Sequence, residues 1–427
     1  MATRYRYRAR LFVYLLTTVL FLGGAAVALL IARGYTIDIA SGEINETGLL
    51  VLNSTPNDAF ITVDNELRDS RTSTRVKLPG GEYQVKIDRP EVVPWEKRLR
   101  VEPGQAVLEE NILLFLKEPV RKQLTPVTLA HATSANSRFI AYLEPGAPTP
   151  TAVIRETLTE TEPVRLGALP AGFVPVGMAV SADGLRVAVS SAAQTMVFNR
   201  SGQPTSTIPA GGRVSFVPND NDRLIAERAG QPGVFRVPTG TQEAEEAQVV
   251  SWTVVGSEMY VVSVNGGFSR RDLRSGNREV VSAPRPLAEV TSTTGAVFVR
   301  DAQLALYVLE GATLRKIAEP VQRFASNANG SAVTYLSGGE LQLWNPRDGQ
   351  SRLVTRFGDA PDGLAIVTDG HYLLYTLRGE LHSIEDDGSN DHSFGLAGTT
   401  PPVLVDAFTT LHVSAERGLS TVTLLKR

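Results

Sequence analysis

Six glycines recur through the second half of this 427-residue chain at intervals of 35 to 39 residues: Gly202, Gly240, Gly276, Gly311, Gly349 and Gly388. Most stand in turn-forming pairs such as Ser201-Gly202, Thr239-Gly240, Ser275-Gly276, Asp348-Gly349 and Asp387-Gly388, each after a short β-rich run. Glycine enters tight turns without steric cost. A repeat of this length is that of a propeller blade, a four-stranded sheet set radially around an axis.

Within each period the same order recurs: an apolar strand, a small polar turn such as Ser181-Ala182-Asp183-Gly184, a second and a third strand, the glycine turn, and a fourth strand. Second strands are expected at 139–142, 187–190, 224–226, 259–262, 297–299, 333–336, 373–375 and 411–413. That gives eight blades. Seven is the alternative, because the first unit lacks the glycine turn and carries the Pro-rich stretch 145–150. The last unit has strands near 403–405, 411–413 and 421–425 but no fourth, so a strand near 121–125 is expected to complete it and leave no open edge.

The N-terminus carries a different signal. Arg4, Arg6, Arg8 and Arg10 precede an uncharged, mostly apolar run over 11–32, which as a helix would be about 33 Å long, enough to cross a bilayer. Beyond Arg33 come Asp38, Glu43 and Glu46, so positive charge is concentrated on the N-terminal side and residues 1–10 are expected to form a cytoplasmic stub. A cleaved signal peptide ending at Ala26-Val27-Ala28 is the rival, but Leu29-Leu30-Ile31-Ala32 extends the apolar stretch past that point. Residues 33–47 show no helical periodicity and read as a stalk.

Residues 48–117 alternate with the two-residue period of strands: 50–52, 60–63, 75–78, 83–87, 98–101 and 107–115, separated by turns such as Pro79-Gly80-Gly81 and Glu102-Pro103-Gly104-Gln105. A small antiparallel β-sandwich is expected, with Trp95 covering an edge or packing on the next domain. The string Ser54-Thr55-Pro56 with Ala59, then Ile61-Thr62-Val63-Asp64, Leu78-Pro79-Gly80-Gly81-Glu82-Tyr83 and Val101-Glu102-Pro103-Gly104, resembles the PEGA domain. It departs from that pattern at Pro56-Asn57-Asp58-Ala59. The resemblance implies an extracytoplasmic β module of bacterial and archaeal envelopes, without catalytic residues, acting as a spacer.

Residues 118–427 are expected to form the propeller. On Ala179-Val180-Ser181-Ala182-Asp183-Gly184 and on Leu381-His382-Ser383-Ile384-Glu385-Asp386-Asp387-Gly388-Ser389-Asn390, this part resembles the WD-repeat-like propellers of the Tol-system propeller protein and of propeller-domain peptidases. The resemblance implies a binding platform.

Residues that would carry chemistry are sparse. A formal net charge of −3 gives no polybasic field, so nucleic acid is not an expected partner. The absence of Cys removes thiol nucleophiles, disulfides and thiolate-bound metals, and fits export. His131, His371, His382, His392 and His412 form no H-x-H or H-x-x-x-H pair, although His382 and His392 can meet across one hairpin. The acidic run 385–391 clusters oxygen ligands but misses the EF-hand order, and 219–222, Asn-Asp-Asn-Asp, has the composition of a turn. There is no G-x-S-x-G elbow, P-loop or dinucleotide glycine motif. Trp252 and Trp344 are expected in blade cores, with sugar stacking at a face as the sharper alternative.

The chain is therefore read as an all-β, single-pass envelope protein with an N-terminal transmembrane helix, whose extracytoplasmic propeller binds or scaffolds an envelope protein or a cell-wall glycan. No catalytic, cofactor-binding or metal residue is assigned. The alternatives are an anchored glycan- or peptide-directed hydrolase, for which acidic side chains with neighbouring Arg in one funnel would speak, and a purely structural envelope component.

Overall fold

The computed structural model describes residues 2–32, 35–37, 44–125, 128–134, 136–146, 149–157, 161–218, 220–327, 330–367, 370–397, 403–404, 410–415 and 418–425. Two compact units divide the chain: Met1–Lys117 with Leu425–Arg427, and Glu118–Leu424.

The first unit opens with one α-helix, Ala2–Ala32, of 31 residues. Consecutive side chains along it, Phe12, Val13, Tyr14, Leu15 and Leu16, are all exposed, as are Val19, Leu20, Phe21 and Leu22. Over 12–22 the apolar side chains are thus exposed around the helix rather than confined to one face. Among the described residues no helix is long and apolar enough to cross a membrane.

Two four-stranded sheets follow. Both contribute to one core, in which Leu50 and Leu52 meet Ile61, Val85, Ile87, Trp95 and Leu99. Trp95 therefore lies inside this core, 3 % exposed, and covers no edge. Part of the expected stalk is sheet: Tyr35–Ile37 pairs with residues 44–46 of the strand Ile44–Thr55. One expectation fails, because Ile44–Thr55 and Ala106–Leu113 run parallel. The turn 102–105 does not fold Ala106–Leu113 back beside Trp95–Val101; it sends the chain to the opposite sheet. A further strand, Glu66–Arg71, occupies a sheet edge, where its charges discourage pairing with other chains. The Pro-Gly and Tyr signature is turn geometry here. The Tyr83 hydroxyl donates to the Pro79 carbonyl at 2.8 Å, and a Cβ on Gly80 would come within 2.7 Å of the Pro103 ring.

In the second unit the described residues form eight four-stranded sheets, blades 1 to 8 in chain order, over 131–168, 177–208, 211–245, 249–281, 287–318, 323–356, 363–397 and 403–425. Each of the eight expected second strands is the second strand of a blade. The fourth strand of blade 8 is Phe115–Thr125, which enters from the N-terminal side of the unit. All six periodic glycines sit between third and fourth strands with φ from 64° to 87°, a left-handed conformation that side chains resist.

First strands approach one another between consecutive blades and so lie innermost. Second strands of blades 1 to 6 are sandwiched between neighbouring blades, and alternate residues face opposite ways. In blade 2, Val187 and Val189 pack toward blade 1 while Ala188 packs toward blade 3. In blade 4, Met259 and Val261 face blade 3 while Tyr260 and Val262 face blade 5. Burial on both faces is why these strands read as unbroken apolar runs rather than alternating ones. Blades 5 and 6 meet through Phe298, Tyr335 and Trp344, and blades 6 and 7 through Leu336, Ile366 and Tyr375. Leu419 of blade 8, fully buried, packs on Ile140, Tyr142 and Val153 of blade 1, which brings the last sheet back to the first. The contact between blades 7 and 8 lies outside the described residues.

This contact gives a test. Leu419→Ala should destabilise the protein by about 2–5 kcal/mol in denaturant unfolding, as for a fully buried leucine. Leu353→Ala, at a partly exposed fourth-strand site, should shift it by less than about 0.5 kcal/mol.

Candidate functional site

The two ends of the blades differ in chemistry. First and third strands begin at one end, here the strand-start end, and finish at the other. At the strand-finish end the turns are polar and capped by their own side chains. Asp183 accepts from the Leu185 amide at 3.0 Å, Asp348 from Gln350 at 2.9 Å and Asp387 from Ser389 at 3.0 Å. The amides of Ser275 and Arg274 hold the Asp272 carboxyl below the usual carboxylate range. At the strand-start end, the connecting loops of blades 1–4 (145–150, 169–176, 191–194, 209–210, 229–230, 246–248 and 264–267) contain one charged residue, Glu246. It is buried against Arg271 at 2.8 Å and Arg278 at 3.5 Å. Leu129, Val174, Val176, Val250 and Val264 are exposed at this end, by 52 to 69 %.

Three adjacent innermost strands carry a bulge here. In blade 3, Gly211 pairs with Glu227 and Val214 with Ala226, leaving 212–213 unpaired. In blade 4, Val249 pairs with Ser263 and Ser251 with Val262, which extrudes Val250. In blade 5, Leu287 pairs with Asp301 and Glu289 with Arg300, which extrudes Ala288. Gly212, Val250 and Ala288 follow one another at 38 residues, so the irregularity repeats with the blade. A bulge re-aims side chains, and Arg213, Val250 and Ala288 are all exposed. Hydrogen bonds fix the spacing of the strands: Ser251 Oγ donates to the Val290 carbonyl at 3.2 Å and accepts from its amide at 3.1 Å.

Arg213 is the charged member of the bulged set. Its guanidinium lies 4.6 Å from the centre of the Trp252 ring, and among the described residues it makes no hydrogen bond or ion pair. Trp252 is 2 % exposed, and its Nε1 donates to Glu227 Oε1 at 2.8 Å. The other Glu227 oxygen accepts from the Arg213 amide at 3.3 Å. Glu289 is bound by Arg300 Nε at 3.1 Å and by its Nη2 at 2.5 Å. Acidic side chains with neighbouring Arg do gather here, but each carboxylate is engaged by a donor that holds the fold. Desolvation lowers the Arg213 pKa from its ordinary value, opposed by Glu227 and Glu289. The side chain is solvent-exposed, with the Trp252 ring against one side. His131, at the start of the innermost strand of blade 1, behaves alike: it is accessible, and desolvation lowers its pKa.

Of the residues singled out in the sequence, Trp252 and His131 fall at this end and the others lie elsewhere. Trp252 and Trp344 are buried, at 2 % and 1 % exposure, so neither offers a face for sugar stacking. His382 and His392 are on paired strands of blade 7, where His382 stacks on Tyr375 with centroids 4.8 Å apart. Burial lowers the His392 pKa, His382 adds to this, and Asp391 opposes it. Tyr375 donates to Asp391 at 2.7 Å. In the acidic run, Glu385 accepts from Tyr372 and Ser389, both at 2.9 Å. His371 is exposed beside Asp386, and the His412 side chain lies outside the described residues. Among the described residues no three His, Asp or Glu gather in a way that could hold a metal ion. Asn219 is outside the described residues, but 220–222 do not form the expected turn: they begin the strand Asp220–Arg228. Asp222 accepts from Arg186 of blade 2 at 2.6 Å, so its charge ties blades together.

No protein-family model and no curated protein matches the chain. Among solved structures, it is similar to BamB from Moraxella catarrhalis at 13% identity, over 72% of this chain and 98% of that one, with a TM-score of 0.49. It is also similar to the β-propeller domain of Cps50 (Swd1) from Myceliophteria thermophila at 12% identity, over 62% and 96%, with a TM-score of 0.42.

Two outcomes follow. Trp252→Phe keeps a ring beneath Arg213 but leaves Glu227 without its indole donor, and should cost about 1–3 kcal/mol in chemical denaturation. His131 and His392 are harder to protonate folded than unfolded, so stability is full above about pH 6.5, the unfolded value, and falls as pH drops below it. Thermal melts across pH 7 to 5 should show this loss, and His131→Gln with His392→Gln should flatten it.

Proposed function

We propose that this protein is a single-pass membrane protein of the bacterial envelope whose extracytoplasmic propeller binds a protein partner at its strand-start end. The observation that carries the binding reading is the contrast between the two ends. One is closed on itself by capped polar turns; at the other, the loops of blades 1–4 carry a single charged residue, and Val174, Val176, Val250 and Val264 are exposed. Exposed apolar groups concentrated at one surface are a mark of interaction sites. Supporting binding over hydrolysis, Glu227 and Glu289 are engaged by Trp252 and Arg300. A protein partner is favoured over a glycan because both propeller tryptophans are buried.

The membrane reading rests on the N-terminal segment. A helix apolar all round is stable only in apolar surroundings, and Arg4, Arg6, Arg8 and Arg10 before it set the N-terminus on the cytoplasmic side. The PEGA-like unit then serves as a spacer between membrane and propeller.

Cell fractionation tests the anchor. The full chain should stay with membranes through alkaline carbonate extraction, and a chain lacking residues 1–32 should move to the soluble fraction. A full chain extracted by carbonate, or a truncated one retained, would contradict it. Protease applied outside the cytoplasmic membrane should degrade the propeller; its protection would contradict the orientation.

A further inference from the structure

The bulged arc of blades 3–5 carries a more specific assignment, which rests on the binding reading above and deepens it. We infer that Arg213, with Val250, Val264 and Ala288 around it, captures an apolar segment of a partner protein that bears a carboxylate side chain, the carboxylate pairing with the Arg213 guanidinium. Three observations converge.

The first is repetition. Bulges at one position of three neighbouring innermost strands are a blade-periodic device, and they turn out Arg213, Val250 and Ala288 together at one end. Blades 2, 6 and 7 pair their first and second strands without such a shift. The device is therefore local to one arc.

The second is an imbalance of donors and acceptors. Around the arc the acidic groups are occupied: Glu227 by Trp252 and the Arg213 amide, Glu289 by Arg300, and Glu246 by Arg271. The five N–H donors of Arg213 have no acceptor among the described residues. A guanidinium with free donors matches a carboxylate in two-pronged geometry.

The third is preorganisation. Trp252 supports the guanidinium from one side. Glu227 holds both the indole and the backbone amide of Arg213. The cation is thus presented in a partly desolvated setting, where an ion pair is screened less than on an open surface. The flanking Val250 and Val264, 57 % and 67 % exposed, supply the apolar contact.

The test selects from a displayed library of random dodecapeptides on the full chain in lipid nanodiscs. Recovered peptides should share one Asp or Glu flanked by aliphatic residues. The same selection on Arg213→Gln should lose the acid while keeping the aliphatic positions, and on Val250→Asp with Val264→Asp should lose both. In direct binding, replacing the peptide acid by its amide should weaken affinity about tenfold on the unchanged protein and leave it unchanged on Arg213→Gln. Peptides without an acid, an acid that persists with Arg213→Gln, or no enrichment would each overturn the assignment. Photo-crosslinkers placed in cells at 250 and 264, and at 274 and 347 on the opposite end, separate the two levels. Adducts from 250 or 264 to a partner whose crosslinked segment bears no acid would sink the Arg213 assignment and leave the binding reading standing; adducts from 274 or 347 alone, or from no position, would sink both.

Discussion

Apolar contact between neighbouring sheets is the interaction on which the propeller depends. In blades 1 to 7 each second strand is buried on both faces, so none of these blades has a core of its own. A single four-stranded sheet with two apolar faces would leave both to water; sheets packed face to face in series cover them. The final contact, Leu419 against Ile140, Tyr142 and Val153, therefore matters more than any one before it, because without it the first and last sheets would each expose an apolar face.

The same architecture explains why the ends are free to diverge. Strand interiors are committed to packing, and loops at the two ends carry no such burden. At the strand-finish end, Asp and Gly turns cap themselves, while Arg186 to Asp222 and Arg315 to the Pro346 carbonyl cross from one blade to the next. At the strand-start end, charge is nearly absent from half the ring, and the innermost strands depart from regular pairing. The glycine at 212, with φ of 70°, permits the bulge beside Arg213.

Much of the fold was legible from composition and period. The six glycines mark one turn of six blades because a left-handed conformation admits few other residues there. The unbroken apolar runs mark second strands because those strands are covered on both faces. Glu66–Arg71 escaped notice because an edge strand needs no apolar alternation, and its charges read as loop. Parallel pairing of Ile44–Thr55 with Ala106–Leu113 escaped because a short turn does not reveal whether the chain returns to the same sheet or crosses to the other. The run 219–222 looked like a turn from its residue types, yet Asp222 is recruited by Arg186 of the preceding blade, a partner 36 positions away. The bulged arc left only a faint trace, since Val249-Val250-Ser251 reads as an ordinary strand. Its one signal was the spacing of Gly212, Val250 and Ala288, which means nothing until the strand register is known.

Completion of the last blade by the strand that precedes the propeller is the central claim, and amide hydrogen exchange read by mass spectrometry tests it most directly. Residues 118–125 should be protected to the same degree as the fourth strand of another blade, such as Ser351–Arg356, because both lend their backbone to one neighbouring strand. Exchange of 118–125 at the rate of an unpaired segment, with the other fourth strands protected, would contradict it.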